Sequence, residues 1–176
     1  MTTDRQAATR SLTRRAACGL IGLGASLAAA TALRAQTPLS ITVEGGDFEP
    51  IPIAFSPFLA DAAAADAAAE IAEIAEADLV GSALFRAIDP AAFLQTVEAF
   101  DALPRFADWR AINAAALVAG RAAIEPDGRL RVDFRLFDVA AGRQVEGLQL
   151  RVDPSAARRV GHKIADSIYV RLTGEG

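Results

Sequence analysis

Hydrophobic and polar residues alternate with two different periods along this chain, and the switches between them mark its elements. From Asp153 onward, Ala157, Val160, Ile164, Ile168 and Leu172 recur at spacings of three and four, which is one stripe of an amphipathic helix. Asp153 is the expected N-cap, Pro154 suits the first helical position, and Gly174 follows the last periodic residue. Arg158, Arg159, Lys163, Asp166 and Arg171 lie off the stripe. A helix with so narrow an apolar stripe must rest on another surface, and the preceding segments supply one. Ala115–Ile124, Arg129–Asp138 and Gln144–Val152 read as three successive strands. In the middle one Leu130, Val132, Phe134 and Leu136 face one way, while Arg129, Arg131, Asp133 and Arg135 face the other. Glu125-Pro126-Asp127-Gly128 is tight-turn chemistry, and the second turn centres on Ala141-Gly142. A one-residue slip would turn the charges inward, so the register is fixed. The arginine face reads as a solvated outer face, with docking of an acidic partner as its functional alternative.

Earlier in the chain Leu39, Ile41 and Val43 alternate with Ser40, Thr42 and Glu44, a strand pattern ended by Gly45-Gly46-Asp47. Ile51–Phe58 is a second short strand whose continuous apolar character implies burial on both faces. Its two prolines place it at a sheet edge or end it early. Asp61 to Gly81 reads as a helix capped by Asp61, ended by Gly81, and buried through Ala67, Ile71, Ile74, Ala75 and Leu79. Phe85–Ile88 is a brief strand, and Asp89-Pro90 turns the chain. Phe93, Leu94, Val97 and Phe100 have the spacing of a short helix that Leu103-Pro104 breaks. Phe106 and Trp109 are anchors, with a short helix over Asp108–Ile112.

Residues 1–35 read as a cleavable export signal: Arg10, Arg14 and Arg15 precede an uncharged run from Ala16 to Leu33, and cleavage is expected before Gln36. A membrane anchor is the alternative, but the run is mostly Ala and Gly with few strongly apolar residues. The general secretory and twin-arginine routes both stay open. Arg15 stands where a lipobox needs Leu, which excludes lipidation of Cys18. Gly19, Gly22 and Gly24 lie within the apolar run with no strand before them, which excludes a nucleotide loop. The remaining domain, 36–176, is long enough for one core. The whole chain carries a net charge of −4; without residues 1–35 there remain 13 basic and 21 acidic residues, a net charge of −8. That balance argues against nucleic acid and against an anionic membrane surface as partners.

The chemistry available is sparse. His162 is the one histidine and Cys18 the one cysteine, so no metal cluster is assembled without relying on carboxylates alone. Ser40, Ser56, Ser82, Ser155 and Ser167 lack a nucleophile-elbow setting, and no phosphate loop is present. Asp66, Glu70, Glu73 and Glu76 read as a solvated helix face, with acid–base chemistry as the alternative if a pocket raises one pKa. No catalytic residue, cofactor site or metal site is assigned.

Five stretches carry a resemblance. An exported chain opens on a strand. It continues through PIPIAFSPF, then IAEIAEADLVGSALFRAID, then FADWRAINAAALVAGRA, and finally DGRLRVDFRLFDVAAGRQVEG with RRVGHKIADSIYVRLTGEG. Their order and spacing resemble the amino-terminal domain of the TolB family of the periplasmic Tol-Pal system. Gly161 is a departure, standing where the family usually has Ala before His. The resemblance implies an α/β fold, a mixed sheet of about five strands packed by two main helices. It also implies a non-enzymatic periplasmic adaptor of the Tol-Pal envelope system, acting in outer-membrane integrity and constriction at cell division. The family's amino-terminal segment contacts the periplasmic C-terminal domain of TolA. On this chain that segment is Gln36 to Asp47, with Leu39, Ile41, Val43 and Glu44 as region-level candidates and Gly45-Gly46 as a hinge. Pal binds the family's β-propeller, so Pal binding is not expected of residues 36–176. The alternative function is a stand-alone exported α/β domain that binds a small ligand or has hydrolytic activity.

Overall fold

The computed structural model describes residues 49–175, all of which lie in one compact unit. The order of elements is β1 (Ile51–Phe55), β2 (Leu59–Ala60), α1 (Ala65–Gly81), β3 (Phe85–Ala87), α2 (Phe106–Ala111), β4 (Ala116–Ile124), β5 (Leu130–Asp138), β6 (Arg143–Val152) and α3 (Ala157–Thr173). Single turns of 3₁₀ helix at Pro90–Ala92 and Pro154–Ala156 join them. The predicted strand over Leu39–Val43 lies outside the described residues.

The sheet is mixed and six-stranded, in the order β3-β1-β4-β5-β6, with β2 also beside β4. β1, β3 and β4 are mutually parallel where they pair, and β4, β5 and β6 form an antiparallel meander. This is the predicted α/β class, with the two long helices α1 and α3 as its main cover. The turn glycines Gly128 and Gly142 take φ of +83° and +65°, as the turn reading of the sequence requires.

Both core faces follow from the strand periods. Leu130, Val132, Phe134 and Leu136 join Ile51, Ile53 and Phe55 beneath α1 and α3. All five stripe residues of α3 are buried, and Ile164 and Ile168 are fully so. On α1, Ala68, Ile71, Ala75 and Leu79 are buried, whereas Ala67 and Ile74 are only half-buried. The two helices meet closely at Gly161. A Cβ there would lie 2.8 Å from Ile74 Cβ and Cγ2 and 3.1 Å from the Ile71 carbonyl oxygen.

The boundaries of the opening half differ from expectation in part, for identifiable reasons. Of the two alternatives for the proline-bearing strand, the early end is the one observed: β1 stops at Phe55, before Pro57, and it is not an edge strand but lies between β3 and β4 despite Pro52. Ile51 and Ile53 make the bonds to the β3 side, while the Pro52 carbonyl accepts from Ala115 N at 2.9 Å. Pro52 therefore lacks its N–H where β4 has not yet begun, and no ladder bond is lost. The first helix begins at Ala65 and not at Asp61, whose Oδ1 accepts from Ala64 N and closes the turn before the helix. Gly81 is the last residue of α1, as expected, but the left-handed position that follows falls on Ala83, with φ of +61°. Phe93, Leu94, Val97 and Phe100 form no helix; the chain from Phe93 to Arg105 is irregular, with Val97 and Phe100 turned onto the sheet.

That irregular connection covers the second face of the sheet. Trp109, 1% exposed, packs with Phe93 at a ring distance of 5.0 Å. It shares a second core with Ala54, Ile88, Leu117, Phe137 and Val139. Phe106 stands edge-on to Phe137. The two aromatic anchors expected from the sequence thus fix this layer.

Candidate functional site

The candidate contact residues Leu39, Ile41, Val43 and Glu44 lie outside the described residues. What the structure supplies is the body to which that segment is joined, since Glu49 and Pro50 lead directly into β1 in the sheet interior.

Three surfaces of this body carry polar chemistry. The first is the arginine face of β5. Asp133 is nearly buried, and its carboxylate accepts from Arg121 Nε at 2.8 Å and Arg131 Nε at 3.1 Å. Asp101 from the irregular connection accepts from Arg121 at 3.2 Å and Arg135 at 3.0 Å. Both guanidinium groups stack on the Phe100 ring, 4.5 and 4.4 Å from its centre. This face is therefore neither freely solvated nor an open cationic patch. Asp133 sits within it by the strand alternation, and Asp101 is brought from more than thirty positions before Arg135 by the chain crossing the sheet.

The second surface is a hollow of about 420 Å³ between Phe55 and the connection that follows β1 (Ser56 to Phe58) and one side of α1 (Ala69, Ala72, Glu73 and Glu76). Asp66, Glu70 and Glu73 are exposed as expected, but Glu76 is half-buried. Burial raises the Glu76 carboxyl above its ordinary pKa, and the charge of Glu73 adds to the shift. A raised carboxyl alone does no hydrolysis without a nucleophile or an oriented base beside it. His162 is not there. It sits half-exposed on α3, with Nδ1 2.5 Å from Asp78 Oδ2 of α1, and ties the two helices together. Among the described residues no group of three or more His, Cys, Asp or Glu is placed to hold a metal ion.

The third surface, a groove of about 670 Å³ between β6 and α3, was not legible as a site. Leu148 and Val170 form its apolar part, with Glu146, Lys163, Asp166 and Arg171 around them. The off-stripe positions of α3 were its one visible signal.

Together these elements define a mixed α/β domain in which two long helices cover one face of the sheet and an anchored connection covers the other. The comparisons agree with that class. Residues 39–145 match the family described as the TolB amino-terminal domain. The Tol-Pal system protein TolB of Dinoroseobacter shibae is 50% identical over 141 residues, which cover 79% of this chain and 32% of that protein. The corresponding protein of Paramagnetospirillum magneticum is 46% identical over 151 residues, covering 85% of this chain and 34% of it. The crystal structure of TolB from Acinetobacter baumannii superposes with a TM-score of 0.59 at 28% identity, over 72% of this chain and 29% of that one. The chain belongs to the TolB amino-terminal domain family. It spans about a third of the length of these relatives.

Proposed function

We propose that this domain is a non-enzymatic periplasmic adaptor of the Tol-Pal envelope system, serving outer-membrane integrity and constriction at division through protein contacts. Family membership carries the reading: the match begins at residue 39, inside the segment proposed to make the contact. In this reading residues 1–35 direct export and are removed, and mass spectrometry of periplasmic material finds Gln36 or a near neighbour as the first residue. Intact chain in the membrane fraction would instead support an anchor. No helix among the described residues is long and apolar enough to cross a membrane.

Gln36 to Asp47 then binds the periplasmic C-terminal domain of TolA, while the body described above holds it. An extended terminal segment with alternating Leu39, Ile41 and Val43 is suited to adding a strand to a partner's sheet edge, where backbone hydrogen bonds supply affinity. Gly45-Gly46 lets the segment turn away from β1. If it must first leave the body, its apparent affinity falls by the fraction of time it is free. Calorimetry of the purified chain against that TolA domain tests this, with and without residues 36–43. Binding lost on deletion, with an unchanged far-UV spectrum, supports the assignment; equal affinity of both forms overturns it. The reading assigns Pal binding to no part of this domain.

A further inference from the structure

We propose that the hollow between the end of β1 and α1 is a binding site for a primary alkylammonium, its carbon stem lying among the apolar walls and its ammonium against Glu76. The place comes from the topology. β3 pairs with one side of β1 and β4 with the other, both parallel to it. The chain leaving β1 crosses one face of the sheet as α1, and the chain leaving β3 crosses the other face before it enters β4. The order of the strands therefore reverses at β1, and a crevice opens at the carboxyl end of that strand, where open α/β sheets bind ligands. The hollow is there: Phe55 and Phe58 wall it from the end of β1, and Pro90, just beyond β3, lines it from the other side. It uses none of residues 36–47.

Small residues keep the space open. Ala65, Ala69, Ala72 and Glu76 follow one another at spacings of four, three and four along one stripe of α1, so methyl groups line the hollow and a carboxylate bounds it. The Phe58 ring lies over Gly120 of β4, where any Cβ would overlap it. The walls also define the occupant. Glu73 and Glu76 are the only charged residues among the described ones that line the hollow. Glu76 is half-buried and accepts no hydrogen bond and joins no ion pair among the described residues. The other buried or half-buried carboxylates, Asp108, Glu125, Asp133, Asp138 and Glu146, each accept a hydrogen bond. A half-buried carboxylate without a donor is the group that gains most from a cation brought to it. Walls of alanine, proline and phenylalanine cover a carbon stem, and the aromatic rings favour the cation it carries. Ala72 and Ala69 lie about 6 and 10.5 Å along the helix axis from Glu76, so a short stem pointing away from the carboxylate rests against both. The positive end of α1 does not compete: Asp66 occupies its first turn, and Glu73 and Glu76 lie about two and three turns in from its start.

Amide NMR of the isotope-labelled full chain tests the site by titration with n-pentylammonium chloride at about 150 mM salt, with n-pentanol as the neutral counterpart. Saturable shifts are expected at Phe58, Ala69, Ala72 and Glu76, with a dissociation constant of about 1–10 mM for so small a ligand. Pentanol should bind about fivefold more weakly or worse. Glu76→Gln should weaken pentylammonium by about the same factor. Glu70→Gln removes an equal charge from an exposed position of α1 outside the hollow and should leave the affinity unchanged. Ala72→Leu fills the space beside Glu76 without changing the charge and should abolish the shifts; if the larger side chain upsets the far-UV spectrum, the comparison of Glu76→Gln with Glu70→Gln decides alone. Nα-acetyl-lysine methylamide distinguishes the source of the ammonium. Affinity equal to that of pentylammonium assigns the hollow to a lysine side chain of a partner protein, and affinity lost when the backbone amides are present assigns it to a free amine. Shifts that do not saturate or that spread over the acidic surface, equal affinity for pentanol, or equal effects of Glu76→Gln and Glu70→Gln would overturn the proposal.

Discussion

The closest helix contact yields a prediction in which one substitution has opposite signs at two places. Gly161 on α3 and Gly81 on α1 are both helical, and by propensity alone Gly→Ala stabilises a helix interior by about 0.8–1 kcal/mol. At Gly81 nothing lies within 4 Å of an added Cβ. The position is exposed and in the last turn, so Gly81→Ala should gain a few tenths of a kcal/mol, up to about 1 kcal/mol. At Gly161 the Cβ meets the Cβ and Cγ2 of Ile74 at 2.8 Å. Those atoms sit at the root of the side chain and cannot swing aside, and the Ile71 carbonyl at 3.1 Å closes the other direction. The helices must separate, and overpacking of this kind costs about 1–3 kcal/mol. Propensity returns up to about 1 kcal/mol, leaving a net loss of roughly 0–2 kcal/mol. Urea denaturation of both variants, read as midpoint at constant slope, measures the difference. A Gly161→Ala chain as stable as Gly81→Ala would show that the helices are not in the contact described. Gly161→Ala combined with Ile74→Ala tests the same clash: alanine at 74 has no Cγ2, so Gly161→Ala should cost less in the Ile74→Ala background than in the parent chain.

Other expectations concern the core and one carboxyl. Ile164→Ala and Ile168→Ala remove fully buried side chains of α3 at about 2–5 kcal/mol each. Against a total of about 5–15 kcal/mol, the pair should collapse the denaturation midpoint; an unchanged midpoint would mean that α3 is merely appended. Glu76 is harder to ionise in the folded chain than at its ordinary value of 4.5, so stability falls as pH rises through 4.5 toward the raised value and is level above it. Glu76→Gln should therefore raise stability at neutral pH and change little in acid below 4.5, and equal effects at both pH values would contradict the burial assigned to this carboxyl.

The meander and the closing helix were readable because turn chemistry, alternation and stripe all agree there. Asp127-Gly128 closes its turn where expected, and every stripe residue of α3 is buried. The opening half was readable in kind but less well in position. The two prolines allowed an edge or an early end; the strand ends early, and Pro52 keeps its interior place because its missing donor falls before the start of β4, a fact of register that no local pattern records. Phe93, Leu94, Val97 and Phe100 have helical spacing, but Val97 and Phe100 gain more by packing on two different parts of the sheet than a short helix could offer. The arginines of β5 announced a charged face. Their partner Asp101 comes from this same connection, so only the tertiary fold reveals that the charge is neutralised. The β6–α3 groove arises between two elements, each read correctly alone.

The central claim, that the partner contact lies in Gln36–Asp47 and the body serves as its support, is tested most directly by amide NMR. The isotope-labelled chain would be titrated with the periplasmic C-terminal domain of TolA. The account predicts perturbation concentrated at Leu39, Ile41, Val43 and Glu44, with the amides of β4, β5 and α3 following only the change in tumbling. Perturbation centred on the body, at the β6–α3 groove or the arginine face, with residues 36–47 unchanged, would contradict it.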